Sequence, residues 1–224
     1  MQLERRLVKA VHGVRSVVPD APFELGLSDH LRAHHDADGL AALYGRFVHG
    51  ESAFDGLMRR AIWRARCRRF GHGVAIEPGA AFLHPETLQI GDGVFVGRGV
   101  YIQGRFDGTC SIGDHVWIGP GSYFDARHLV LEDYVGWGPG ARALGSTHTG
   151  VPAAAPIIQT DLLIRPVTVR RGADIGTGAV LLPGITVGEN ALVGAGAVVT
   201  HDVPAMAVVA GTPARVLSWR EPAA

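Results

Sequence analysis

One spacing governs most of this chain: an apolar residue returns every sixth position. Val169, Ile175, Leu181, Val187, Val193 and Val199 follow one another at intervals of six without a break. Four residues after each stands a small or aliphatic partner: Ala173, Ala179, Ile185, Ala191, Ala197 and Val203. Earlier triplets keep the rule, namely Ile90, Val96, Ile102, then Ile112, Ile118, Phe124, then Leu131, Trp137, Ala143. A helix requires a period near 3.6 and a simple strand a period of two. A sustained period of six suits short strands joined by identical tight turns and stacked as a solenoid. Three such sides make one triangular coil, with equivalent residues stacked about 4.8 Å apart. The chain has 31 glycines, and many fall at the corners, among them Gly91, Gly97, Gly113, Gly119 and Gly138. Corners are crowded, and glycine both fits there and allows unusual backbone angles.

The first seventy residues have a different texture. Leu3, Leu7, Val11, Val14 and Val18 recur at helical spacing, and Pro19 and Pro22 end that run. Leu40, Leu43, Tyr44, Phe47 and Val48 share a second helical face before Gly50. Ser52 and Asp55 resemble a capping box opening a third helix with Phe54, Leu57, Met58, Ala61, Ile62 and Ala65 as its apolar stripe. The segment 52–69 also carries Arg59, Arg60, Arg64, Arg66, Arg68 and Arg69. A basic amphipathic helix can lie on an anionic membrane surface. The narrow stripe without several aromatic anchors favours a helix packed on the main domain with a solvated polar face. The expected organisation is therefore an N-terminal helical region over 1–73, an all-β main domain over 74–204 with an external loop at 149–166, and a C-terminal capping segment over 205–224.

Charge and cysteine content limit the function classes. Lys plus Arg and Asp plus Glu are both 21, so no global field favours nucleic acid as a partner. Two cysteines, Cys67 and Cys110, make neither a disulfide framework nor a zinc cluster. No apolar signal core follows Met1, and no apolar run reaches spanning length. A cytoplasmic location is expected.

The repeats resemble the hexapeptide-repeat acyltransferases, which include galactoside, maltose and xenobiotic acetyltransferases and enzymes that acetylate cell-surface polysaccharides. The resemblance runs from Ile76 to Leu217, and its most specific stretch is Leu181 to Gly188, continued by Val193 to Pro204 and closed by Gly211-Thr212-Pro213-Ala214-Arg215. It implies a left-handed coil, a homotrimer with active sites between neighbouring prisms, acetyl-CoA as acyl donor and no metal. Carried over by position, Thr177, Gly194, Ala195 and Thr200 would border the pantetheine arm, and Arg215 would lie near the nucleotide phosphates. His201 stands where relatives often have lysine, which weakens phosphate attraction at neutral pH. Asp174 replaces a tryptophan that some relatives place beside CoA.

The resemblance also marks His148. The family's catalytic histidine ends the third side of a coil, just before a loop that leaves the prism. Here Gly145-Ser146-Thr147-His148 ends such a side, Thr149 to Arg165 leave it, and Pro166-Val167-Thr168-Val169 resume the repeat. An imidazole can take the proton of an attacking hydroxyl or amine, and a backbone N–H can hold the oxyanion. Some relatives place a carboxylate or amide one coil earlier, where the register here puts Leu129. Asp125, the nearest acidic residue, is a candidate acceptor contact or an ordinary turn residue.

The reaction so implied is acetyl transfer from acetyl-CoA to a sugar hydroxyl, as in polysaccharide biosynthesis, with an amino sugar as the alternative acceptor. Two rivals differ in kind. A zinc enzyme of the same fold would need His115, His128 and His148 to converge, although they hold different coil positions. A non-catalytic β-helical scaffold would keep the fold without the chemistry.

Overall fold

The computed structural model describes residues 7–14 and 16–221. From Arg69 the chain winds as a left-handed β-helix of about seven turns, built of short parallel strands. The first face stacks Arg69–Phe70, Leu88–Ile90, Cys110–Ile112, Leu129–Leu131, Val167–Val169 and Thr186–Val187. The second stacks Ala75–Ile76, Phe95–Val96, Trp117–Ile118, Gly136–Trp137, Asp174–Ile175 and Leu192–Val193. The third stacks Ala81–Leu83, Tyr101–Gln103, Tyr123–Asp125, Arg142–Ala143, Val180–Leu181 and Val198–Val199. Each group of three makes one coil, so there are six full coils. The partial last turn is made by Val203, which bridges to Val187, and by Ala207–Gly211, which pairs with Leu192–Val193. Ala214–Trp219 then folds back antiparallel on that strand.

The period of six is the core. Every member of the Val169-to-Val199 series is buried, and so are Ala173, Ala179, Ile185, Ala191, Ala197 and Val203. Where a coil carries a large residue a small one balances it. Trp137 and Phe124 pack at 4.7 Å between ring centroids, and Ala143 stands directly above Phe124 on the third face. The Trp137 indole N–H donates to the Ala141 carbonyl at 3.2 Å, so this fully buried ring leaves no orphan donor.

Two different demands fall on the corners. At Gly176 the backbone angle is ordinary, but an added Cβ would stand 2.5 Å from the Ala195 nitrogen of the next coil. At Gly178, two residues on, φ is +68° and nothing lies within 4 Å of an added Cβ. The left-handed position therefore accepts side chains that tolerate that angle, and Asn190 (φ 54), His115 (φ 58) and Tyr134 (φ 60) occupy such positions elsewhere. One edge has a further device. The Asp92 carboxylate accepts from the His72 N–H, Asp114 from the Asp92 N–H, and Asp133 from the Asp114 N–H, at 2.7, 2.8 and 2.9 Å. This ladder satisfies corner amides that strand pairing leaves open.

Three helices precede the prism: α1 (Pro22–His34), α2 (Ala37–Phe47) and α3 (Ala53–Arg66). The capping box at Ser52 and Asp55 is present, and α2 covers the second expected face. Among the described residues the first expected helix is absent. Residues 7–11 and 16–21 are irregular, with a bend between them at 12–13, and Leu7, Val11, Val14 and Val18 are exposed. Leu3 lies outside the described residues. Pro22, read as a stop, is instead the first residue of α1, a position where the missing N–H costs nothing. The extended segment lies along the second face, where His12 packs on Trp117 at 4.8 Å.

The arginines of α3 also differ from expectation, because two of them point inward. Arg59 is 4% exposed and donates to the carbonyls of Ile76, Phe47 and Gly50. Arg64 donates to the Gly71 carbonyl and pairs with Asp20 and Glu24, while Arg60 holds Glu24 at 2.7 Å. These side chains tie α3 across the first coil, where a bare end would leave strand edges unpaired. Among the described residues no helix is long and apolar enough to cross a membrane.

Two outcomes are expected. Gly176→Ala should lower unfolding free energy by about 1–3 kcal/mol through overpacking, whereas Gly178→Asn should cost about 1 kcal/mol or less; chemical denaturation distinguishes them. Cys67 and Cys110 are buried, and burial pushes the Cys110 thiol up to about 12 and raises that of Cys67 as well. A thiol reagent at neutral pH should therefore titrate no cysteine in the folded protein and both after denaturation.

Candidate functional site

The fourth coil does not close directly. After Arg142–Ala143, Gly145 still lies against the coil below, close to the Asp125 carbonyl. The chain then leaves as a hairpin arm in which Ser146–His148 pairs antiparallel with Leu162–Ile164. It rejoins at Val167, which pairs with Leu129 as though nothing had intervened. The arm thus sits on the edge between the third and first faces, and His148 lies near its base.

His148 is half-buried, and its Nδ1 is 2.9 Å from the Thr160 carbonyl oxygen. A carbonyl can only accept, so this contact requires the proton on Nδ1. The neutral ring then has its lone pair on Nε2. Thr160 is itself fixed, its hydroxyl donating to the Ile157 carbonyl at 2.7 Å and accepting from the Gly150 N–H at 3.2 Å. The arm therefore sets both the orientation and the tautomer of the imidazole.

The structure revises the neighbourhood of His148. Counting back through a regular coil puts Leu129 beneath it, but regular stacking ends at Gly145, and Leu129 pairs with Cys110 and Val167. Asp125 is the carboxylate tied to this strand, accepting from the Ser146 hydroxyl at 2.7 Å. It is buried, which sets it apart from an ordinary solvated turn residue. Around it lie Gln103, which accepts from the Tyr123 hydroxyl at 2.7 Å, and Arg127, whose Nε is 3.8 Å from Asp125. Sequence reading passed over Ser146 and Arg127, although both lie within two positions of residues it had singled out.

The residues expected to border CoA divide between two edges. Thr177 and Ala195 stack on successive coils at the edge between the second and third faces, the Gly196 N–H donating to the Thr177 carbonyl at 2.8 Å. Gly194 adjoins them, and Arg215 is on the same side, on the returning strand opposite Ala210. Thr177, Ala195 and Arg215 are exposed. Thr200 and His201 lie instead on the edge that carries His148, two coils further on, with the Thr200 hydroxyl 2.9 Å from His201 Nδ1. Within one prism a whole face separates the two sets. Asp174 faces outward on the second face, where burial raises its carboxyl above the usual range and Arg220 partly opposes that rise.

His115, by contrast, stacks on Tyr134 at the edge between the first and second faces, away from His128 and His148. Among the described residues no three His, Cys, Asp or Glu side chains are grouped to hold a metal ion.

Comparison with known proteins agrees with this architecture. The family described as "Hexapeptide repeat of succinyl-transferase" matches residues 166–201. A 2,3,4,5-tetrahydropyridine-2,6-dicarboxylate N-acetyltransferase of Staphylococcus aureus (strain JH9) is 48% identical over 66 residues, which is 30% of this chain and 23% of that protein. The chain thus spans about a quarter of the length of the curated relatives it matches. Among solved structures, a hexapeptide-repeat acetyltransferase from Vibrio cholerae O1 biovar eltor complexed with acetyl coenzyme A superposes with a TM-score of 0.59 at 22% identity, covering 87% of this chain and 89% of that one. A variant of AntD, an N-acyltransferase from Bacillus cereus, in complex with dTDP-4-amino-4,6-dideoxyglucose and coenzyme A gives 0.63 at 17% identity, covering 71% and 87%. Residues 166–201 match a hexapeptide-repeat model, and the prism has the same fold as the two solved structures it superposes on.

Proposed function

We propose that this protein is an acyl-CoA-dependent acyltransferase in which His148 is the general base and a sugar hydroxyl is the acceptor. The observation that carries the reading is the bond from His148 Nδ1–H to the Thr160 carbonyl. It leaves Nε2 as a proton acceptor on the edge that carries Thr200 and His201. As the acceptor oxygen attacks the thioester carbonyl, its proton passes to Nε2. The tetrahedral intermediate collapses by breaking the C–S bond, and the departing CoA sulfur takes the proton back from the imidazolium. The bond to Thr160 steadies that transient cation, since Nδ1–H donates more strongly once the ring is charged.

The homotrimer that the resemblance implies is compatible with where these residues lie. Thr177, Gly194, Ala195 and Arg215 occupy one edge and His148, Thr200 and His201 another, and a groove between two copies would bring both sets to a single acyl-CoA. The arm exposes Ile157, Ile158, Leu162 and Leu163 beside His148, an apolar surface that a neighbouring copy would cover. Amine acylation is the second reading. Two relatives carry N-acyltransferase names, and the same base serves an amine that reaches the site neutral.

His148→Ala should lower kcat by about 10² to 10⁴, or roughly 3–5.5 kcal/mol of transition-state stabilisation, with acetyl-CoA affinity retained. His148→Asn should be nearly as slow, because an amide cannot take the proton. Release of free CoA thiol against a panel of sugars and amino sugars measures both; near-normal kcat in either variant would move the base elsewhere. Ala195→Tyr should raise KM for acetyl-CoA much more than KM for the acceptor, and unchanged CoA binding by calorimetry would displace the proposed groove.

A further inference from the structure

On the His148 edge, below the arm, two half-buried arginines lack, among the described residues, partners of the kind that Arg59 and Arg64 have. Gln103 is in register with Asp125, and Phe124 with Ala143. Arg105 and Arg127 each follow one of these third-face strands by two residues, and Ser146, the first residue past the stack, is bonded to Asp125. Arg59 and Arg64 show how this protein treats a structural guanidinium: carbonyl oxygens or carboxylates meet it at several nitrogens. By contrast, the Nε atoms of Arg105 and Arg127 are buried and have no hydrogen-bond partner among the described residues, and neither does Asp125 Oδ1. Arg127 is only 11% exposed at its side chain and Asp125 10%. Their 3.8 Å separation is too long for a hydrogen bond.

The charge count is also open. Among the described residues Arg105 has no ion-pair partner, and Arg127 has only Asp125, which already accepts from Ser146. Part-buried charge left unpaired is costly, and an oxyanion placed between the arginines would offset it. Guanidinium is well shaped for that task, since it donates two parallel N–H groups to carboxylate or phosphate. Ser146 and His148 are two residues apart on one strand, so their side chains share a face about 7 Å apart. An anion held beside Ser146 is then within one small molecule's length of the base.

We propose that Arg105 and Arg127 form an oxyanion-binding subsite, so that the acceptor of this enzyme carries a carboxylate or phosphate group besides the nucleophile. Asp125 is a positioning residue in this arrangement: it holds Ser146 and faces Arg127. The inference rests on the acyltransferase reading for its word acceptor, and the test separates the two.

The first arm of the test needs no catalysis. Inorganic phosphate and succinate, each at millimolar concentration, should raise the melting temperature of the wild-type protein, and Arg105→Gln and Arg127→Gln should abolish the shift. Arg127→Lys, which keeps the charge, should restore part of it. The second arm compares a neutral hexose, the matching hexuronic acid and the hexose phosphate, with their amino counterparts, as acceptors from acetyl-CoA. The anionic acceptors should be preferred, and each Gln variant should raise KM for them about tenfold or more. Preference for uronate or for phosphate identifies which oxyanion is used. Equal use of neutral and anionic acceptors, or an anion-induced shift that survives both Gln substitutions in folded protein, overturns the subsite. Stabilisation that depends on the arginines without transfer to any acceptor upholds the subsite and counts against the acyltransferase reading instead.

Discussion

The ladder of hydrogen bonds between one coil and the next is the constraint on which everything else here depends. Each turn must lie a strand's spacing above the last, about 4.8 Å, so a corner residue has another backbone directly over it. Gly176 shows the result, because the Ala195 nitrogen occupies the space a Cβ would need. The same closeness fixes the interior. With the faces held apart by a constant turn, each side of a coil has room for few apolar side chains, and the large Trp137 and Phe124 pack together where Ala143 is small. A repeat of this kind is stabilised chiefly by its neighbours and not by distant contacts, which puts special weight on the two ends. At one end α3 answers with arginine side chains aimed at open carbonyls; at the other a returning strand covers Ala207–Gly211.

That logic makes the prism legible in sequence and the rest less so. A period of six has no competing explanation, and each coil repeats the message. The segment before α1 shows the opposite case. Leu7, Val11, Val14 and Val18 have helical intervals, yet the valines are β-branched and Gly13 adopts φ +70°, both poor for a helix. With its apolar residues exposed, nothing is gained by forming one. Pro22 was ambiguous for a local reason: a proline ends a helix from within and begins one from N1. The arginines of α3 misled because residue type assigns them to water, while their length lets them reach carbonyls on neighbouring elements.

The site divides in the same way. His148 stood out in the sequence through its resemblance to a family position beside an interruption of the repeat, and such an interruption is conspicuous against a regular background. Its partner was not, because the bond to Thr160 depends on how the arm folds back, and nothing periodic records that. Asp125 was singled out by type and Ser146 was not, although the two are bonded. Counting coils fails once the chain has left the stack at Gly145, and Leu129 then turns out to belong to a ladder rung with Cys110 and Val167.

The return of the arm at Val167 has a consequence for how such a protein can change over time. Because Val167 meets Leu129 in unbroken register, the ladder is indifferent to what happens between Ser146 and Ile164. The entropic cost of closing a loop grows only slowly with its length, so insertions and deletions there leave the stack nearly as stable as before. The imidazole is oriented from inside this tolerant segment, by Thr160, whereas the edge that carries Thr177 and Ala195 is locked into the rigid repeat. A lineage built on this plan can therefore rework the surroundings of this imidazole by remodelling one appendage, while the opposite edge, bound to the geometry of the coil, stays as it was.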